Sequence, residues 1–254
     1  MTLGFPDLLR LIDERAAAFR EVVASAPDLD VQVPTCPEWT LRDLAHHLGD
    51  GRYAWAATVA AGPDAEAKAP SNGPQAPEDR QALVEWLAAA TRAMLDALRA
   101  AGPHRGCWTW WSDSQSPQTT GAVARHQLQE VAVHTYDAQL TAGSAQPLPA
   151  EIALDGVEEF LFTCCTTTAA WPHDPATIDY HTTEGPSWRL TLSAQGAEAS
   201  RFGSDDDRAA VDVSASGTAS DLVLLFYDRV ALDAVKVEGD SRIFDQLIAW
   251  DPSE

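Results

Sequence analysis

The chain has 254 residues, 45% of them hydrophobic, and a formal charge of −21, enough apolar material for a sizeable core in one large or two modest domains. A field this negative repels phosphate backbones and anionic lipid surfaces, which disfavours nucleic-acid and membrane partners. A small anionic substrate stays open, because a local cation can dominate inside a pocket.

No N-terminal stretch combines basic residues, an apolar run and a small-residue cleavage site, and no apolar run has the length of a membrane span. The expected location is the cytoplasm. Cys36, Cys107 and the adjacent Cys164 and Cys165 have neither zinc-knuckle spacing nor a disulfide pattern, and read as reduced core thiols. Cys36 and Cys107 could also line a site.

Residues 5–25 place Phe5, Leu8, Leu9, Ile12, Ala16, Phe19 and Val23 at helical spacing, predicting an amphipathic helix with Pro6 in its first turn. Residues 31–39 hold two prolines and are too short for a helix. Thr40, with Asp43 three residues on, resembles a capping box opening a second helix. That helix turns Leu41, Leu44, Ala45, Leu48, Trp55 and Val59 inward. At 100° per residue, His47 flanks its apolar stripe at roughly 105° from the centre, and His46 points away at roughly 155°. Of the two, His47 is the one that can face an interior site; the plainer reading leaves both exposed or makes His47 a boundary residue.

Residues 62–78 form a Pro/Gly/Ala connection longer than bundles normally use, suggesting a crossover or a flap. A third helix is expected from about Glu78 to Ala101, stopped by Gly102 and Pro103. The next connection, 102–120, carries Trp108, Trp110 and Trp111. Such apolar rings either close the end of a bundle or roof a pocket. A fourth helix, about 121–142, ends at Gly143. The four helices make a bundle to about residue 146.

After Pro147-Leu148-Pro149 the pattern changes. A helix over about 150–165 precedes β-rich runs at 178–183, 188–193, 197–202 and 211–214. Thr218 to Asp221 resembles a helix start, and a last short helix is expected from Ser241 to Trp250. The fold class is therefore α+β overall: a four-helix bundle over 1–146 followed by a smaller α+β domain over 147–254.

The fourth helix reads Arg125-His126-Gln127-Leu128-Gln129-Glu130-Val131-Ala132-Val133-His134-Thr135-Tyr136-Asp137. Glu130, His134 and Asp137 share one face. A carboxylate and an imidazole one turn apart can reach a single divalent cation, as in zinc helices; the alternative is a solvated polar stripe. Arg42, Arg52, Arg80 and Arg125 could meet an anion, though solvated helix faces are the plainer reading of each.

Three segments resemble the mycothiol-dependent maleylpyruvate isomerase family of actinobacteria, whose N-terminal domain is a DinB-like metal-binding four-helix bundle. They are Val33 to Gly49, with Pro37, Trp39, Thr40, Asp43 and His47-Leu48; Arg125 to Asp137; and Gly217 to Leu222 with Arg229 and Gly239-Asp240. The resemblance implies that His47, Glu130 and His134 bind one divalent metal, with zinc as the expected ion. Three protein ligands would leave positions open for water, thiol or substrate. Asp137 then reads as a carboxylate orienting His134 or as an ordinary surface group. The implied cofactors are a divalent metal and mycothiol, and the partners a low-molecular-weight thiol and a small electrophile. The implied reaction is cis–trans isomerisation by thiolate addition and elimination at an activated double bond. A mycothiol S-transferase, a metal-dependent hydrolase and a non-catalytic metal- or ligand-binding protein are the other readings. No thiol-binding residue is assigned.

Overall fold

The computed structural model of the chain describes residues 3–65, 67–202 and 211–250. The Asp-rich stretch within 203–210 lies outside these. The chain divides into two compact units, one of residues 2–110 and 118–148, the other mainly of residues 149–254 with 111–117.

The first unit is built on four helices, α1 (Phe5–Ser25), α2 (Leu41–Ala61), α3 (Arg80–Ala101) and α4 (Thr120–Thr141). Helix α1 packs on α3 and α4, and α2 packs on α3. Phe19, Val23, Leu41, Leu44, Leu83 and Leu87 are fully buried in their shared core. The α2–α3 approach depends on a missing side chain. A Cβ at Gly49 would lie 1.9 Å from the Trp86 ring, so only glycine lets that ring lie against the α2 backbone. Trp86 is fixed in turn by its indole N–H, which donates to the Pro74 carbonyl at 2.8 Å.

Thr40 caps α2 as its sequence predicts. Its hydroxyl accepts from the Asp43 N–H, and the Asp43 carboxylate accepts from the Thr40 N–H, closing a capping box that satisfies two otherwise orphaned donors. The preceding segment is more ordered than its two prolines suggest. It forms a hairpin of β1 (Gln32–Val33) and β2 (Cys36–Thr40) around Pro34 and Thr35. Helix α3 begins at Arg80, with the Asp79 side chain accepting from the Ala82 N–H.

In the second unit α5 (Ala150–Phe160) runs into a π-helical turn, Leu161–Cys165, where a single helix was expected. A five-stranded sheet follows, made of β3 (Ala176–Thr182), β4 (Ser187–Ser193), β5 (Gly196–Phe202), β6 (Val213–Gly217) and β7 (Lys236–Gly239). Its order is β5-β4-β3-β6-β7, antiparallel except for the β3–β6 pair. Helices α6 (Ala219–Phe226) and α7 (Arg242–Ala249) complete the unit. Ile178, Leu190, Leu192, Val213, Ala215 and Leu222 are fully buried, and Trp188 nearly so. No described helix is long and apolar enough to cross a membrane.

Candidate metal centre

Helices α2 and α4 bring one donor cluster together. His47 lies two turns into α2, in the phase set by the Thr40 cap. Glu130 and His134 are one turn apart on α4. His47 Nε2 lies 3.0 Å from Glu130 Oε1, and His134 Nε2 approaches the same oxygen at 3.5 Å. One donor atom from each residue falls within 4.8 Å of the others, the only such trio of ligand-type side chains among the described residues.

Asp137 is not a fourth member of the trio. Its Oδ2 lies 2.9 Å from His134 Nδ1, and its side chain is fully buried. A carboxylate only accepts, so His134 Nδ1 carries the hydrogen and Nε2 is the nitrogen turned towards Glu130. The other oxygen, Oδ1, accepts from the Thr35 hydroxyl at 2.7 Å. From the same hairpin the Trp39 ring lies against His47, centroids 4.6 Å apart, and 6.4 Å from His134. Thr35 and Trp39 had no predicted role in the site. Thr35 and Asp137 stand 102 positions apart, a distance over which no periodicity could pair them.

The electrostatics follow from this geometry. Burial alone would push the Glu130 carboxyl up, but hydrogen bonds from His134 and His47 hold it well below the usual carboxylate range. For His134, burial disfavours the charged ring; hydrogen bonds to Asp137 and Glu130 outweigh it and raise the pKa to about 9. In the metal-free protein His134 is therefore cationic at neutral pH, and a proton occupies the nitrogen a metal ion would need.

Other predicted residues fall elsewhere. His46 is the more buried of the adjacent pair, against expectation. It sits edge-on to Trp86 at 6.4 Å, with a buried Nε2 that has no hydrogen-bond partner, because α3 covers that side of α2. His47, at 39% side-chain exposure, is the one that meets α4. Arg52 is not on a solvated face: it is 2% exposed and donates to Thr91 Oγ1 at 2.6 Å. Burial lowers its pKa to about 10. Arg42 reaches Asp30 and the Glu78 carbonyl, and Arg80 the carbonyl of Ala26.

Trp108 packs on Trp55 at 6.2 Å, and Trp110 stands edge-on to His126, one turn before Glu130. None of the four cysteines is in a disulfide, and none belongs to the donor trio. Burial raises the Cys107 thiol, and burial with the Glu159 charge pushes Cys165 up to about 12. An apolar cavity of about 460 Å³ lies in the second unit among Phe160, Tyr180, Phe226 and Phe244, and the donor trio is not in its walls.

Two imidazoles and a carboxylate suit zinc and neighbouring divalent ions. The convergence of both Nε2 atoms on one carboxylate oxygen, with Nδ1 of His134 already engaged, fits such an ion. Fold and site together define a four-helix bundle with a paired-histidine, single-carboxylate cluster, joined to an α+β unit. Residues 9–139 match the family description "Mycothiol maleylpyruvate isomerase N-terminal domain", and residues 151–246 match "MDMPI C-terminal domain". The chain belongs to the mycothiol maleylpyruvate isomerase family. Among solved structures it is similar to a mycothiol-dependent maleylpyruvate isomerase in a histidine-to-alanine mutant form, at TM-score 0.60 and 12% identity, covering 94% of this chain and 95% of that one. A second structure of a mycothiol-dependent maleylpyruvate isomerase aligns at TM-score 0.56 and 15% identity with the same coverage. No curated protein sequence matches the chain.

Proposed function

We propose that this protein is a metal-dependent enzyme that uses mycothiol to isomerise a cis double bond conjugated with a carbonyl group. The observation that carries the reading is the His47, Glu130 and His134 cluster, in a chain belonging to a mycothiol-using family. These three side chains would hold one divalent cation, and two imidazoles with a carboxylate favour zinc. Such a cation lowers the pKa of a thiol held on it, supplying thiolate at neutral pH.

The chain's own residues support this chemistry. Asp137 fixes the His134 tautomer and so presents Nε2 as a donor. Glu130 stays ionised and brings a compensating negative charge. Trp39 supplies an apolar wall beside His47. Cys107 and Cys165 are poor competing nucleophiles, because burial favours the protonated thiol in both.

The openness of the site favours a second reading. His47 keeps 39% and Glu130 29% side-chain exposure, which leaves the cluster accessible to a bulky thiol and to release of its conjugate, as S-transfer to an electrophile would use. Both readings place the protein in the cytoplasm with a reduced thiol and a small electrophile as partners. Incubation with mycothiol and either maleylpyruvate or a generic electrophile separates them: the trans isomer identifies the first, a stable conjugate the second. Turnover that ignores added thiol sinks both.

A further inference from the structure

The hairpin of residues 32–40 touches both halves of the donor cluster. Trp39 lies against His47 of α2, and Thr35, at the hairpin's tip, reaches Asp137 of α4. Asp137 is fully buried, so the donors that hold its carboxylate are the protein's own. Its two carboxylate oxygens are used differently: Oδ1 accepts from Thr35 at 2.7 Å, and Oδ2 from His134 Nδ1 at 2.9 Å. A carboxylate anchored at one end is held in a single rotamer. That rotamer fixes which nitrogen of His134 carries the hydrogen and where the other one points.

We propose that Thr35 is a positioning residue for the metal centre, acting through Asp137 to hold His134 with Nε2 turned towards Glu130. The inference rests on the reading that His47, Glu130 and His134 bind a divalent cation. It adds a third element, the hairpin, to the two helices that carry the donors. Loss of the Thr35 hydroxyl removes one of the donors that hold Asp137, and the carboxylate's grip on the His134 ring loosens. The cost falls on cation affinity rather than on the packing of the bundle, because valine has nearly the same shape as threonine.

The test measures zinc affinity of the full-length protein by competition with a chromophoric chelator, beside the thermal midpoint of the metal-free form. Thr35→Val is expected to weaken zinc binding about tenfold, the lower end for groups that orient a ligand. Thr35→Ser, which keeps the hydroxyl, is expected to stay within about twofold of the parent. In an Asp137→Ala background Thr35→Val should cost nothing more, since the two act in series. If Thr35→Val does not fold, the same comparisons are read with Thr35→Ala. Unchanged affinity in the valine or alanine protein, or a loss that persists without Asp137, overturns the inference and leaves the metal reading intact. A parent protein that takes up no zinc sinks both.

Discussion

His47 Nε2 and Glu130 Oε1 lie 3.0 Å apart, although they stand 83 positions apart in the chain, with helix α3 between their own helices. Two groups that polar, placed on facing helices with His134 as their third neighbour, make a site whose members depend on one another. Replacing His47, Glu130 or His134 singly by alanine should abolish stoichiometric zinc uptake, about one ion per chain in the parent as expected for a three-ligand site. Helicity should be largely retained, because none of the three belongs to the apolar core. His46→Ala should leave uptake unchanged. Metal analysis after gel filtration, with far-ultraviolet circular dichroism, checks all four variants. Metal retained by the Glu130→Ala protein would show that the wrong carboxylate had been chosen.

Proton and cation compete for His134. Its pKa of about 9 means that metal uptake below that pH must expel a proton, so zinc affinity should rise between pH 6.5 and 9 by about tenfold per pH unit, one proton per ion. The sign for stability is opposite. A raised histidine pKa contributes stability fully present below its ordinary 6.5 and lost as pH rises through about 9. The depressed Glu130 contributes above its ordinary 4.5 and loses that contribution as pH falls through its lowered value. Chelated protein should therefore melt at a higher temperature at pH 6 than at pH 9.5, and His134→Ala should flatten that difference. A zinc affinity that does not vary over this range contradicts the arrangement.

What was legible in the sequence was what local periodicity encodes. The capping box at Thr40 and Asp43 and the shared face of Glu130 and His134 are intervals of three and four residues, and the helix phase favoured His47 over His46. Burial was less legible, because it depends on neighbours. His46 is covered by Trp86 of α3 and Arg52 is drawn to Thr91, and neither partner can be found from α2 alone. The π-helical turn at Leu161–Cys165 and strand β7 were invisible for a related reason. Each is at most five residues long, and β7 has no buried residue from which alternation could be read. Thr35 belongs to the same class, since its role exists only once the hairpin is laid on α4.

Gly49 is a packing prediction independent of the metal. An alanine there gains up to about 1 kcal/mol of helix propensity, but its Cβ would fall 1.9 Å from the Trp86 ring. Overpacking a tight core costs about 1–3 kcal/mol, and Trp86 is tethered to Pro74, so it cannot simply swing away. Gly49→Ala should lower stability by up to about 2 kcal/mol, the difference of those terms, read from urea unfolding with unchanged denaturant dependence. A gain in stability would mean that the indole moves freely and that the α2–α3 approach does not depend on glycine.

The helix cap supplies a matched surface control. Thr40→Ala removes the hydroxyl that accepts from the Asp43 N–H and should cost about 1 kcal/mol. Thr40→Ser should recover most of it. The effect should also reach the centre, because α2 begins at residue 41 and carries His47 on its second turn; fraying there would weaken zinc binding in proportion to the lost helix. A destabilised Thr40→Ala protein with full zinc affinity would place His47 in a turn held by packing rather than by the cap.

Thiol accessibility separates an added cofactor thiol from one of the chain's own. Burial and Glu159 push Cys165 up to about 12, so at pH 8 only about one thiol in ten thousand is ionised there, and the thiolate is the reactive form. Burial raises Cys107 as well. Brief treatment of the native protein with iodoacetamide at pH 8 should leave Cys107 and Cys165 unmodified by peptide mass spectrometry, while unfolding should expose both. Cys107→Ser and Cys165→Ser proteins should keep any turnover that depends on added mycothiol. Loss of that turnover in a well-folded serine variant would move the nucleophile from the cofactor to the chain, and the His47–Glu130–His134 cluster would need another role.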